Sequence, residues 1–426
     1  MSANVFAELQ WRGLVEQVSD PGLEKILAEQ KLTVYAGFDP SSPSLQIGNL
    51  VGILALMRFQ QAGHKPIALI GGATGMIGDP SGKDTERNLL GPEAVAVNVA
   101  KIRRQLEHFL DTSDPKTGAI IVDNADWLGK FSFIDFLRDV GKNFRVGYML
   151  AKESVRRRIG EGEEGMSFTE FAYMLLQGYD FVYLFDEYNC TLQIGGADQW
   201  GNITAGIDLT RKLRSQTVYG LTWPLVTTTD GTKFGKTEAG AIWLDAEMTS
   251  PYEFYQFWIR TDDRDAIRYL KHFTMLSQIE IDKLAEQTAG TPEKRQAQRV
   301  LATELTKLVH GQAAQSQAAQ ASEQLFGGEL HGLSDQQLSE AFVAAPRTSI
   351  PKSHLQEGIP LIDVLVRTGL ATSRGAARRL ISQGGAYINN QVETSTERCL
   401  KLSDLASEHF IVLRAGKKNY HLLRFE

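Results

Sequence analysis

The sequence predicts an α/β protein in which a domain built on a parallel sheet precedes a helical domain and a small α+β domain. One observation is the order strand, turn, helix, strand within residues 32–72. Another is the run CTLQIGG at 190–196, which returns the chain to the sheet after a mainly helical stretch. The third is charge: from Arg347 onward there are twelve basic and seven acidic side chains, a net +5, although the whole chain carries −6.

The first elements predict a Rossmann-like sheet. Residues 32–38, LTVYAGF, have the pattern of a buried strand that ends in a glycine turn, and a helix is expected to start near Leu45. Residues 64–72 give a second apolar strand and 221–226 a further one. Ligands bind such sheets at the carboxyl ends of the strands, so polar residues there are expected to form a site.

Composition shifts divide the chain into domains. Residues 1–248 hold the sheet and a helical insert, residues 249–342 are expected to be helical, and a linker is expected at 343–358. A compact domain at 359–426 follows. Within the insert, residues 131–150 are apolar enough to form either core or a partner-facing helix.

Several function classes are disfavoured. The two cysteines lie far apart, no metal-ligand spacing is present, and the longest apolar run is too short to span a bilayer. These features indicate a soluble, cytoplasmic protein without a protein-bound metal. No Ser-His-Asp or Cys-His arrangement is evident, so covalent catalysis lacks an obvious nucleophile.

The segment DGTKFGKTE at 230–238 resembles a phosphate loop but differs in its spacing. Gly231 and Gly235 enclose three residues where a Walker loop needs four. The segment still places Lys233 and Lys236 on a glycine-flanked loop, which suits binding of a polyphosphate. Taken alone, it is more typical of a solvated surface hairpin.

Longer strings carry a family resemblance. FTEFAYMLLQGYDF at 168–181, GGADQWGNI at 195–203 and KFGKT at 233–237 resemble bacterial tyrosyl-tRNA synthetases, which are class I aminoacyl-tRNA synthetases. The resemblance implies that tyrosine and ATP, with Mg²⁺ accompanying the phosphates, give tyrosyl-adenylate and pyrophosphate. The tyrosyl group then passes to the terminal adenosine of a tRNA.

The resemblance also implies roles for individual residues. Tyr35 and Asp180 match the pair that hydrogen-bonds the substrate phenol. Tyr173, Gln177 and Asp79 match residues around its amino group, and Gln199 lies near its carboxylate. Tyr173, Gln177 and Asp180 are spaced by four and three residues, which places them on one face of a helix.

Positions matching the ATP site are more numerous, and they include the glycines, acids and cations expected around a nucleotide. They are Asp39, Gln46, Gly48, Asn49, Lys83, Arg87, Gly196, Asp198, Leu225, Val226, Lys233, Lys236 and Thr237.

One departure from the family pattern is clear. The signature His-Ile-Gly-His reads Gln46-Ile47-Gly48-Asn49 here, so both imidazoles are absent. The amides of Gln and Asn can donate hydrogen bonds from similar positions but cannot carry charge. We expect the segment to bind phosphate still, at the start of a helix.

The C-terminal segment TSRGAARRLISQGGAYINNQ resembles the small RNA-binding domain first seen in ribosomal protein S-four. The resemblance implies that tRNA is a partner, and basic residues are the contacts we expect. They are Arg156, Arg157, Arg158, Arg211, Lys212, Arg214, Arg374, Arg378, Arg379, Arg414, Lys417 and Lys418. The resemblance further implies a homodimer with residues 131–150 at its interface.

Two alternatives remain open from the sequence alone. A non-catalytic RNA-binding paralogue would explain the two missing histidines, although it would have no need for the tyrosine pocket or the loop lysines. The related tryptophan enzyme is the second, and the Tyr35–Asp180 pair and the C-terminal domain disfavour it.

Overall fold

A computed structural model describes residues 4–81, 89–161, 165–231, 234–237, 240–327, 330, 332–342, 345–416 and 419–426. Its contacts divide the chain into two units. The first comprises Met1–Thr249 and Thr261–Leu301, and the second comprises Ser250–Arg260 and Ala302–Glu426. The first unit contains the parallel sheet, and the second ends in a smaller, mainly antiparallel sheet.

The elements up to residue 241 follow one another in chain order. They are α1 (Val5–Trp11), β1 (Gln17–Val18), α2 (Leu23–Glu29), β2 (Thr33–Phe38), α3 (Leu50–Gln61), β3 (Lys65–Ile70), α4 (Pro92–Phe109), β4 (Ile120–Asp123), α5 (Ala125–Leu128), α6 (Phe133–Asp139), α7 (Val146–Leu150), α8 (Glu153–Glu161), α9 (Phe168–Tyr188), β5 (Cys190–Gly196), α10 (Trp200–Arg214), β6 (Tyr219–Trp223), β7 (Lys236–Thr237) and β8 (Gly240–Ala241).

The remaining elements are mainly helical until the final sheet. They are α11 (Pro251–Ile259), α12 (Asp263–Phe273), α13 (Gln278–Gly290), α14 (Gln296–Gly327), α15 (Asp335–Ala341), β9 (Arg347–Ile350), α16 (Ser353–Glu357), β10 (Ile359–Pro360), α17 (Leu361–Arg367), α18 (Arg374–Ser382), β11 (Ala386–Ile388), β12 (Gln391–Glu393), β13 (Cys399–Leu400), β14 (Phe410–Ala415) and β15 (Asn419–Phe425).

The main sheet has the strand order β1-β6-β5-β2-β3-β4. β2 pairs in parallel with both β3 and β5, while the edge strand β1 pairs antiparallel with β6. The strand order therefore reverses between β2 and β5, as in doubly wound α/β folds. The predicted fold class is confirmed, and the reversal point is where such folds bind ligands.

Local sequence explains the turns at that point. Gly71 and Gly72 follow β3, and a Cβ on Gly71 would lie 2.1 Å from the Asp39 Oδ1 atom. On Gly72 a Cβ would lie 2.2 Å from Asp123 Oδ1. These glycines allow the carboxylates that follow β2 and β4 to approach the backbone closely.

Between β2 and α3 the chain forms a short 3₁₀ helix, Ile47–Asn49, instead of starting α3 near Leu45. Ser167 caps the start of α9 by accepting from Glu170 N, and Asn189 ends it in the left-handed conformation. α9 thus runs for 21 residues and carries three of the expected site residues on one continuous helix.

The second unit ends in a sheet of order β12-β11-β14-β15-β9. Apolar residues of α17, α18 and this sheet share one core, among them Leu365, Ile381 and Leu413. The stretch 343–358, expected to be a linker, contains β9, which pairs in parallel with β15, and α16. Prolines and short polar runs gave no sign that β9 would complete the sheet.

The structure adds two strands to those expected in the main sheet. β4 lies within a stretch expected to be mostly helical, and β1 is only two residues long. Within the described residues, no helix is both long and apolar enough to cross a membrane. Cys190 is fully buried in β5, and Cys399 is half-buried in β13; both are free.

Candidate active site

A cavity of about 610 Å³ opens at the carboxyl ends of β2 and β5, in the first unit. Residues from both strands line it, together with residues from α9 and from the segment around Gly48. The cavity lies where the strand order reverses, so the position expected from the sequence matches the one in the structure.

The inner end of the cavity is built around Asp180, which is 1% exposed. Its Oδ1 accepts from Trp127 Nε1 at 2.8 Å, and its Oδ2 accepts from Asn124 Nδ2 at 3.0 Å. Burial raises the pKa of this carboxyl to about 8, although both hydrogen bonds act to lower it. A fixed buried acceptor at this place suits a ligand that donates a hydroxyl hydrogen.

Three buried polar atoms of the cavity-lining residues have no hydrogen-bond partner in the described structure. They are the Tyr35 hydroxyl and the Oε1 atoms of Gln177 and Gln193. Buried polar groups in folded proteins are nearly always paired, because an unpaired one costs about 1–3 kcal/mol. All three residues line the cavity, so a polar ligand there could complete their hydrogen bonds.

A chain of hydrogen bonds connects this end to Asp39, a residue expected to bind ATP. The Tyr173 hydroxyl donates to Asp39 Oδ2 at 2.9 Å, and Thr74 Oγ1 donates to Asp39 Oδ1 at 2.8 Å. Asn124 Nδ2 contacts Thr74 Oγ1 at 3.0 Å as well as Asp180. Burial and the Asp39 carboxylate raise the pKa of Tyr173 well above its usual value, so it remains a donor.

A second group of polar side chains lies around Gln199. Its Nε2 donates to Asp79 Oδ2 at 2.7 Å, and its Oε1 accepts from Gln177 Nε2 at 3.3 Å. The residues expected around the substrate amino and carboxylate groups are therefore brought together. Gln199 thus bonds to both Asp79 and Gln177 in the cavity wall.

At the outer end, Gly48 and Asn49 line the cavity directly before α3. Asn49 Oδ1 accepts from Gln46 N at 2.9 Å, which leaves the Asn49 amide hydrogens available to other acceptors. Gln46 is not among the residues lining the cavity, and its backbone forms a β-bridge with Trp243. The two replacements for histidine thus occupy different environments.

The remaining residues expected to bind ATP divide into two sets. Gly196, Asp198, Leu225 and Val226 all line the cavity, and Leu225 is 54% exposed. Lys83, Arg87 and Lys233 lie outside the described residues. The backbone of Lys236 and Thr237 forms β7, and their side chains also lie outside the description.

Most described basic residues expected to contact RNA are on the surface. Arg156, Arg211, Arg374, Arg378 and Arg379 are exposed. Lys212 binds Asp208 and Asn143 O, Arg214 pairs with Asp186, and Arg414 packs on the Tyr387 ring. The Arg157 side chain and residues Lys417 and Lys418 lie outside the description.

Arg158 differs from its expected role as an RNA contact. It is 5% exposed and forms an ion pair with Glu170 at 3.0 Å, which joins α8 to α9. An exposed run of three arginines was the expectation, but helical spacing turns the third toward the protein interior.

Sequence reasoning missed Thr74, Asn124, Trp127 and Gln193. Asn124 and Trp127 directly follow β4, so a strand assignment at 120–123 would have placed them at the carboxyl edge of the sheet. Gln193 lies within β5, where it pairs in register with Tyr35. A lone polar residue in an apolar strand was the available signal.

Two family models match the chain. Residues 27–327 match the class I tRNA synthetases for tryptophan and tyrosine, and residues 337–423 match the tyrosine–tRNA ligase SYY-like C-terminal domain. The chain belongs to the class I tyrosine–tRNA ligase family. The family assignment, made first from sequence strings, is confirmed.

Relatives of this family match over the full length. The tyrosine–tRNA ligase of Roseiflexus castenholzii is 54% identical over 99% of both chains. That of Geobacillus stearothermophilus is 52% identical over 99% of this chain and all of its own. A truncated mitochondrial tyrosyl-tRNA synthetase from Aspergillus nidulans has a similar structure, with a TM-score of 0.69 and 32% identity over 76% of this chain and 94% of its own.

Proposed function

We propose that this chain activates L-tyrosine with ATP in the cavity and then transfers the tyrosyl group to the 3′-terminal adenosine of tRNA(Tyr). In the first step a tyrosine carboxylate oxygen attacks the α-phosphorus of ATP, and pyrophosphate leaves. In the second a ribose hydroxyl attacks the activated carbonyl carbon, and AMP leaves. The observation that carries the proposal is that one cavity is lined by buried polar atoms without partners and by Asp180, whose carboxyl group is fixed by two hydrogen bonds.

The inner end fits a phenol. Asp180 is fixed by Trp127 and Asn124, so it can accept a hydrogen bond from a phenol hydroxyl without reorganising. The Tyr35 hydroxyl has no partner in the described structure and can donate to the phenol oxygen. A phenylalanine ring would leave the Tyr35 hydroxyl buried and unpaired and would give Asp180 no further donor, which disfavours it.

The polar group around Gln199 fits the amino-acid end of the same substrate. Asp79 and the Tyr173 hydroxyl are suited to the ammonium group, and the Gln177 Oε1 atom can accept from it. Gln199 is suited to the carboxylate through its amide N–H. The acid would then face the outer end of the cavity, where ATP is proposed to bind.

For ATP, the cavity offers surfaces of three kinds. Leu225 and Val226 provide an apolar border for adenine, and Asp198 can accept from a ribose hydroxyl. The start of α3, with Gly48 and Asn49, suits the phosphates because helix amino ends attract anions. Lys83, Arg87, Lys233, Lys236 and Thr237 are proposed to complete this charge, and Mg²⁺ is taken as part of the nucleotide substrate.

Tyrosine-dependent exchange of pyrophosphate into ATP tests this proposal. We expect exchange with tyrosine and little with equal concentrations of phenylalanine or tryptophan. Charging of tRNA(Tyr) by the same preparation tests the second step. RNA binding without exchange would instead favour a non-catalytic paralogue, and exchange with tryptophan would overturn the substrate.

Exposed arginines of α18 support a tRNA-binding surface in the second unit, together with the basic charge of that segment. Arg374 is 69% exposed, although it also pairs with Asp363. Neutralising Arg378 and Arg379 should weaken tRNA binding and reduce its salt dependence, because each phosphate contact releases counterions. Pyrophosphate exchange needs no tRNA and is therefore the internal control.

We also propose a cytoplasmic location for the protein, where tRNA and ATP are available.

We also propose a homodimer through the face of α6 and α7. Phe133, Ile134 and Val146 are 65%, 68% and 61% exposed, and large apolar side chains clustered in this way usually mark an interface. A second copy of the chain is the proposed partner. Sedimentation should show a dimer that Ile134→Glu shifts toward monomer, whereas Ile279→Glu should not, since Ile279 is a lone apolar residue, 81% exposed, on α13.

A further inference from the structure

The segment before the loop lysines is fixed against helix α12. Residues 228–231 form a turn in which Gly231 N donates to Thr228 O at 2.9 Å. Asp265, in the first turn of α12, accepts from both donors of Thr229: from N at 3.0 Å and from Oγ1 at 2.5 Å. Two hydrogen bonds to one carboxylate fix both the position and the orientation of Thr229.

Neighbouring groups of α12 hold the same segment. Arg268 Nη2 donates to Thr227 O at 2.6 Å and also to the Asp265 carboxylate. The Tyr269 hydroxyl donates to Thr227 O at 3.1 Å. Asp265 is 3% exposed, so its charge is compensated by these contacts, and losing one partner would be costly.

The loop meets α12 again after the first lysine. Phe234 is 7% exposed, and its ring centroid lies 5.0 Å from those of both Tyr269 and Phe273. Thr229, which precedes residues 232–233, and Phe234, which follows them, are therefore both attached to α12. Lys233 lies only four residues after Thr229 and directly before Phe234.

Beyond Lys236 the chain is attached to the segment that leads into α3. Ile242 N donates to Gly235 O at 3.3 Å, and Ile47 N donates to Ile242 O at 3.1 Å. Leu244 N donates to Leu45 O at 2.9 Å. The lysine segment thus connects α12 to the Gln46–Asn49 segment, where the phosphates are proposed to bind.

We propose that Asp265 is a positioning residue for adenylate formation, because it fixes Thr229 and thereby the start of the loop that carries Lys233 and Lys236 in sequence. This inference rests on the proposed function and adds to it a group outside the cavity lining. Displacing a catalytic group by about 1 Å can reduce a rate about 100-fold. Asp265 should therefore act on the rate of activation and leave tyrosine binding unchanged.

The experiment compares variants of the full chain in pyrophosphate exchange. Asp265→Ala should lower kcat for exchange about 10- to 100-fold, with the tyrosine Kd within about twofold of the parent value. Asp263→Asn is the matched control. It removes a carboxylate from the same first turn of α12, but Asp263 binds Arg295 and Gln298 and not the loop.

A second pair of variants keeps the inference testable should Asp265→Ala fold poorly. Thr229→Val removes the hydroxyl donor and should reduce kcat, while Thr229→Ser retains the donor and should restore it. In a Lys233→Ala background, Asp265→Ala should cause little further loss, because the two residues act as one unit.

Three results would overturn the inference. The first is a parent-like kcat in Asp265→Ala. The second is a double variant in which the fold-losses of Asp265→Ala and Lys233→Ala simply multiply. The third is a higher tyrosine Kd in Asp265→Ala together with a lower melting temperature. The last would assign Asp265 to folding alone. A parent without tyrosine-dependent exchange would overturn the proposed function itself, and this inference with it.

Discussion

The two ends of the cavity are built in different ways. At the inner end, side chains from the sheet and from α9 are buried and bonded to one another, as Asp180 is to Trp127 and Asn124. The outer end is formed instead by backbone near Gly48 and by a lysine-bearing loop. That loop is bonded to α12, through Asp265, which does not line the cavity. Under the proposed function, substrate selection would rest on a prebuilt network, and phosphate chemistry would depend on contacts made outside the cavity.

The largest effect that would sharpen this contrast is expected at the outer end. Lys236→Ala should reduce pyrophosphate exchange on the order of 10²- to 10³-fold, because it removes a positive charge proposed to stabilise the developing pyrophosphate, and the Gln46–Asn49 segment has no imidazole to replace it. Equilibrium binding of tyrosine should be unchanged. Lys25→Ala, at a lysine 78% exposed on α2, is the control. Near-normal exchange by Lys236→Ala would mean that the charge lies elsewhere.

At the inner end, Asp180→Asn should lower kcat/KM for tyrosine, because the transition state loses about 2–3 kcal/mol of stabilisation, which is the contribution of a hydrogen bond to a buried charge. The amide also presents an N–H to Trp127 or Asn124, both of which are donors. Activity with phenylalanine should change little, so discrimination between the two amino acids should fall. Asp186→Asn, on the same helix but 32% exposed, should change neither. Unaltered discrimination in Asp180→Asn would contradict the phenol assignment.

The pH dependence of tyrosine binding separates the two ends further. Burial raises the pKa of Asp180 to about 8, and the ionised form is the better acceptor for a phenol. Tyrosine Kd should therefore fall about 15-fold as pH rises from about 6.5 to about 8, since the ionised fraction of a group with a pKa of about 8 rises from about 3% to about 50% over this range. Phenylalanine Kd, which shares the titrating amino group, should not show this change. A tyrosine Kd that is flat over this range would be evidence against an ionised Asp180.

The same raised pKa has a consequence for stability. The folded state binds the Asp180 proton more tightly than the unfolded chain, so the stabilising contribution is complete below 3.8, the ordinary value for Asp. That contribution is lost as pH rises through about 8. Asp180→Asn should flatten this part of the stability curve in denaturant titrations at several pH values.

The smallest effect is expected from restoring the family signature. Gln46→His and Asn49→His, singly or together, should change exchange by less than about tenfold, because one neutral hydrogen bond contributes about 1 kcal/mol. Gln46 does not line the cavity, so its variant should have the weaker effect of the two. An inactive parent that these replacements rescue would show instead that the amides cannot serve.

The sequence predicted the parallel sheet and the residues that lie within recognisable strings, because hydrophobic period and turn glycines are local signals. It did not predict that Trp127 and Asn124 orient Asp180, since this needs β4 beside β3 in space. Nor could it assign Asp265, an ordinary acid at a helix start whose partner is 36 residues away. Contacts between distant segments of ordinary composition leave no local pattern.

The two thiols offer a direct use in the laboratory. Cys190 is fully buried, and burial raises the pKa of its thiol, so very little reactive thiolate forms there. Cys399 is half-buried in β13 of the second unit, with its sulfur 3.8 Å from the Glu397 carbonyl oxygen. A maleimide dye should therefore attach to the native chain at Cys399 alone. Fluorescence from that single dye could follow encounters with tRNA without an engineered cysteine.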